Sequence, residues 1–208
     1  ANGNQIMLIA SDFSWTEINK PITLKVPAKT VTMDSVVKAL DLDISSEASN
    51  PEVEAQLEDY LAQLKKATSK SDKAFLNYMI AVQYDILDDY KSAVKYYKTS
   101  ASLYKKGSAD QYEALAQVEW NLGNAKKAKE YFELALKKAP NEEFILQSYG
   151  WFVLGLTPVT VKEQDLKYAL KLNEQLVKLN PVDGNLLNLY LSYILNGKYS
   201  DATKLQFK

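Results

Sequence analysis

The chain contains no cysteine and no histidine, and all 25 of its basic residues are lysine. Without Cys and His there are no disulfides, thiolate nucleophiles or imidazole bases, and the usual zinc, copper and haem ligand sets are missing. Zero cysteines suit a reducing or an oxidising compartment equally. Without arginine there is no bidentate fork for phosphate or carboxylate, which counts against nucleotide chemistry. A formal charge of -1 over 208 residues provides no basic face for nucleic acid. No apolar run approaches the roughly 20 residues of a membrane span, so no membrane insertion is expected. The longest candidate, 144–156, is interrupted by Gln147, Ser148 and Gly150. Glycine-rich phosphate loops, lipidation signals and low-complexity stretches are also missing, and no cofactor is expected.

What is present is a repeat. When Ala93 is laid on Ala128, the surrounding residues superpose at an offset of about 35. Tyr90, Ala93, Tyr97 and Leu103 answer to Ala125, Ala128, Phe132 and Lys138; upstream, Ile80, Ala81 and Leu87 answer to Leu115, Ala116 and Leu122. Two antiparallel helices need small residues where their backbones approach, here Ala81, Ala93, Ala116 and Ala128. They need bulky ones, Tyr97 and Phe132, to fill the gap to the next pair. Gly123 can supply the turn, and Pro140 cannot continue a helix.

With Tyr112, Leu115, Ala116, Gly123, Ala128, Phe132, Ala135 and Pro140 in these places, the second unit resembles the tetratricopeptide repeat family. Glu119 and Ala125 depart from the pattern, in slots the family fills with a large apolar residue and an aromatic; a lysine partner is expected for Glu119. The resemblance covers 74–208 in units 74–107, 108–142, 143–182 and 183–208. The third carries roughly seven extra residues at 157–163, and the fourth breaks off in its second helix. It implies an all-α fold, a right-handed superhelix of about four helix pairs. Lys208 falls within a predicted helix, so more chain is expected beyond it.

Ahead of the repeats, Asn50-Pro51 is a helix-start signal. Val53, Leu57, Tyr60, Leu61 and Leu64 recur at helical spacing, predicting an amphipathic helix over 51–67 that caps the first unit. A polar link is expected at 68–73. Residues 1–50 read as a small α/β segment, with a hairpin from 5–10 and the alternating Ile22, Leu24 and Val26, then a short helix over 32–42.

In tetratricopeptide arrays the first helix of each pair lines the inner surface, so the resemblance implies a groove. Its candidate partner-binding residues are Phe75, Tyr78, Met79 and Val82 in the first unit and Gln117, Trp120 and Asn121 in the second. The third adds Phe144, Gln147 and Trp151, and the fourth Leu187 and Leu191. Asp110 and Glu113 lie on the same face. Aromatic residues in such a groove are the kind that dominate binding energy, although each could equally pack on a neighbouring helix. With no lysine at these positions, a clamp for acidic C-terminal tails is not expected, and an apolar or lysine-bearing partner is favoured.

Asp41, Asp43, Ser45, Glu47 and Glu52 are spaced somewhat like a calcium loop, but Ser46 stands where the turn needs glycine, so a solvated acidic linker is the better reading and no metal is expected. Asp85, Asp88 and Asp89 are expected to face water at a turn. A paired-carboxylate hydrolase would have to use Glu113 and Glu119, and is only a remote alternative. The expected function is a non-enzymatic protein–protein interaction module, an adaptor or assembly factor that binds a helix or extended peptide. The alternative is a structural subunit assembling through its N-terminal segment. The Ala1 start suggests a processed bacterial envelope protein, periplasmic rather than cytoplasmic.

Overall fold

Four of the described helices of this chain begin where a Ser or Asp side chain caps them. The computed structural model describes residues 51–154 and 165–205. Helix α1, Pro51–Lys66, opens on the proline and carries Glu52 and Glu54 in its first turn and Lys65 and Lys66 in its last, charges that complement the helix dipole. Helix α2, Lys70–Ile86, is capped by Ser69, whose hydroxyl accepts from the Asp72 amide at 2.9 Å. The polar link is therefore shorter than 68–73, because the Ser69 cap starts the helix at Lys70.

Asp89 caps α3, Tyr90–Leu103, and Ser108 caps α4, Ala109–Asn121. Next come α5, Ala125–Lys138, and α6, Glu143–Leu154. Asp165 caps α7, Leu166–Leu179, and α8, Asp183–Leu195, leads to the single turn α9, Tyr199–Ala202. The second helix of the fourth unit is thus one turn among the described residues.

Three of the tight turns between paired helices share one design. Asp88 (φ 57°), Gly123 (φ 77°) and Gly197 (φ 71°) each lie just past the end of a first helix in the left-handed region. In each turn the next residue's amide reaches five residues back, Asp89 to Tyr84, Asn124 to Glu119 and Lys198 to Tyr193. That bond satisfies a carbonyl the helix end would leave open.

Helices α2 and α3, α4 and α5, and α6 and α7 pack as pairs, and α1 packs on α2. The four alanines at the crossings, Ala81, Ala93, Ala116 and Ala128, are fully buried, and so are Phe132 and, almost completely, Tyr97. One core gathers Tyr78, Ala81, Ala93, Tyr97 and Ala114 from α2, α3 and α4. A larger one joins Phe132 to Tyr149, Phe152, Leu172 and Leu176. Phe132 and Tyr149 stack at 5.0 Å with an interplanar angle of 9°.

Gly150 allows a close approach of α6 and α7, since a Cβ there would meet the Asn173 Oδ1 at 3.1 Å. Glu119 finds a different partner from the lysine expected, accepting instead from the Asn124 amide nitrogen at 2.6 Å across the turn. The expected N-terminal α/β segment, the acidic stretch from Asp41 to Glu47 and the extra residues 157–163 lie outside the described residues.

Candidate functional site

The first helices of successive units are joined by a row of polar side chains. Tyr78, Glu113 and Ser148 occupy the same place in α2, α4 and α6, and all three are buried. The Tyr78 hydroxyl donates to the Glu113 carboxylate and Gln117 donates to the same oxygen at 2.9 Å, with the Ser148 hydroxyl close by. Burial pushes the Glu113 carboxyl up to about 7 against these bonds, with Asp110 adding to the rise. Burial, and then Glu113, hold the Tyr78 hydroxyl well above its ordinary range, so it stays a neutral donor.

Asp85 forms a second node. Its Oδ2 accepts from Tyr97 at 2.7 Å and from Asn121 at 3.3 Å, while its Oδ1 is buried without a partner. Burial raises this carboxyl to about 7, opposed by those two bonds. Asp85 therefore does not face water as its place near a turn predicts; Asp88 and Asp89 do.

This packing redistributes the residues expected to line a groove. Tyr78, Gln117 and Leu191 are buried and present almost no surface to a partner. Trp120 packs edge-on against Phe132 and Phe152, at 6.1 and 5.5 Å. Trp151 is tethered through its indole nitrogen to Asn188 at 3.0 Å. Met79 and Val82 pack on the first core and Leu187 on the last, while Asn121 and Gln147 are half-buried. Two large apolar residues of the set remain open to solvent, Phe75 at 53 % and Phe144 at 41 %.

Phe75 and Phe144 flank a cleft of about 150 Å³, with Tyr78 at its floor, the Tyr78 and Phe144 ring centroids 5.3 Å apart. Three carboxylates, Asp110, Glu113 and Glu142, line this cleft together with Tyr104, and no lysine does. Burial and then Asp110 push the Tyr104 hydroxyl up to about 12. The cleft adjoins a wider, open one of about 1020 Å³ between the ends of α1 and α3 and the starts of α2 and α4. The two share Phe75, Tyr104 and Asp110. Tyr104, Asp110 and Glu142 lie outside the candidate set read from the sequence. Asp110 was legible there as an acidic groove-side residue, whereas Tyr104 and Glu142 sit beside helix ends with no periodic signal to mark them. Among the described residues, no group of His, Cys, Asp and Glu is placed to hold a metal ion, and no helix is long and apolar enough to cross a membrane.

Paired helices stacked through a recurring small-and-large core define a helical-repeat protein. Residues 109–142, which span α4 and α5, match the tetratricopeptide repeat family, so the chain carries a tetratricopeptide repeat there. Among solved structures it is similar to YrrB, described as a tetratricopeptide repeat protein with an unusual peptide-binding site. The two are 19 % identical, with 74 % of this chain and 75 % of that one covered at a TM-score of 0.45. It is also similar to MamA, at 13 % identity, with 85 % and 92 % of the chains covered and a TM-score of 0.45. No curated protein matches it in sequence.

Proposed function

We propose that the chain captures a segment of a partner protein on the face formed by its first helices, between Phe75 and Phe144. A tetratricopeptide repeat supports a protein-interaction module in general. The observation that carries the finer reading is the pair of exposed phenylalanines on either side of a cleft, while the other aromatic residues of that face are buried or held by neighbours. Large apolar side chains left open on a repeat surface are the groups whose burial drives association, at roughly 1.5–3 kcal/mol for each one fully covered. Of the four aromatic candidates Phe75, Trp120, Phe144 and Trp151, the reading keeps Phe75 and Phe144 as anchors.

The test is site-specific photocrosslinking in the source cells. A photoreactive phenylalanine is placed at Phe75, at Phe144 and, as a control, at Leu134, an exposed position on the second helix α5. Crosslinks to one protein from both phenylalanine positions and not from Leu134 support the reading. Crosslinks from Leu134 alone place the contact on another face and overturn it, and crosslinks to a second copy of the chain replace the adaptor with a self-assembling subunit.

A further inference from the structure

We infer that the partner segment enters the cleft between Phe75 and Phe144 with a lysine or arginine side chain, so that the site reads a basic residue. This inference rests on the first-helix face being the binding face. The cleft is too small for more than a side chain or two, at about 150 Å³, and its lining is aromatic rings and acids. Ring faces attract a cation through their quadrupole, and carboxylates at the rim add Coulomb attraction.

Asp110 and Glu142 are solvent-exposed at the mouth, free to meet an incoming charge, while Glu113 lies buried at the floor beside Tyr78. The wider cleft next door differs, because Lys70 and Lys105 stand there against Asp72 and Asp110. The negative balance is thus confined to the small cleft. A long basic side chain suits it on both counts, with a methylene stem to lie between the phenylalanines and a charged head to reach the acids. An acidic segment would meet the exposed carboxylates of Asp110 and Glu142 and no cation, and a purely apolar one would leave them unpaired.

The experiment presents the labelled full chain to an array of short random-sequence peptides. Recovered binders are then titrated in solution against the parent, an Asp110→Asn/Glu142→Gln variant and a Phe75→Ala/Phe144→Ala variant. All four positions are exposed, and thermal unfolding checks that each variant folds as the parent does. The inference expects binders enriched in lysine or arginine and affinity that falls with added salt. It also expects a loss of about tenfold on exchanging the basic residue for norleucine or on neutralising the two acids. Binders that lack basic residues, lose affinity in the phenylalanine variant and ignore the acid variant overturn the basic anchor while leaving the face intact. Binders indifferent to both variants overturn the face itself, and the inference with it.

Discussion

The hydroxyl of Tyr78 donates to the carboxylate of Glu113, the residue that holds the same place one unit further along the chain. Both groups are buried, and Gln117 and Ser148 complete the set around the acid. A carboxyl held this way is a thermodynamic liability when ionised, and so is Asp85 with its unpartnered oxygen.

The first prediction concerns pH. Burial raises both carboxyls in the folded chain to about 7, above ordinary values of 3.8 and 4.5. Between about 4 and 7 the folded state therefore holds protons that the unfolded state has released. Stability is greatest at the acid end of that window, falls as pH rises through it, and levels off above about 7. Unfolding free energies from urea titrations across the window are expected to decline, by on the order of several kcal/mol for the two groups together. An Asp85→Asn/Glu113→Gln variant is expected to flatten the profile, and an unchanged slope would place the raised carboxyls elsewhere.

The second concerns the core. Phe132 is completely buried and touches Trp120, Tyr149 and Phe152. Phe132→Ala is expected to cost about 3–5 kcal/mol in chemical denaturation, whereas Phe144→Ala, at a residue 41 % exposed, should cost well under half as much. Equal losses would mean that Phe144 belongs to the core rather than the surface.

The third concerns the turns. Asp88 stands in a left-handed conformation where the equivalent positions have Gly123 and Gly197. Gly123→Ala is expected to destabilise by about 1–2 kcal/mol and Asp88→Gly to stabilise by up to about 1 kcal/mol. The gain is limited because the Asp88 side chain also accepts from the Tyr90 hydroxyl. Melting temperatures that move the same way for both variants would refute the shared turn design.

The fourth concerns a cap. The Ser108 hydroxyl accepts from the Gln111 amide at 3.2 Å at the start of α4. Ser108→Ala should lower stability by about 1 kcal/mol. Amide hydrogen exchange is expected to quicken first over Ala109–Gln111, the turn the cap holds.

What the sequence displayed and what it hid divide along physical lines. Ala81, Ala93, Ala116, Ala128, Tyr97 and Phe132 were legible because helix crossings demand small and large side chains at a fixed period. Gly123 was legible because its turn demands a positive φ. The row Tyr78, Glu113, Ser148 was not, because tyrosine, glutamate and serine on a first-helix face read as solvent-facing groove residues. Only the approach of three consecutive first helices buries them. Asp85 was misread for a similar reason, since its acceptors' partners, Tyr97 and Asn121, come from two other helices. The tryptophans stood among the candidate groove residues, yet neighbouring rings and Asn188 hold them. Exposure of Phe75 and Phe144 rather than Trp120 and Trp151 depends on the exact stacking of the units, which no single-helix pattern encodes.

The buried run of Tyr78, Glu113 and Ser148, with Tyr78 donating to Glu113, also makes the order of the units matter. Repeat arrays are ordinarily treated as stacks whose units can be exchanged or copied. Here a duplicated second unit would set one glutamate against its own copy in a dry row, and two carboxyls would have to share a proton or repel. Exchanging the first and third units would keep the glutamate in the middle but place serine where the Tyr78 ring now meets Phe144 and Tyr97. The row thus works as a sequence address written across the helices, fixing which unit may follow which.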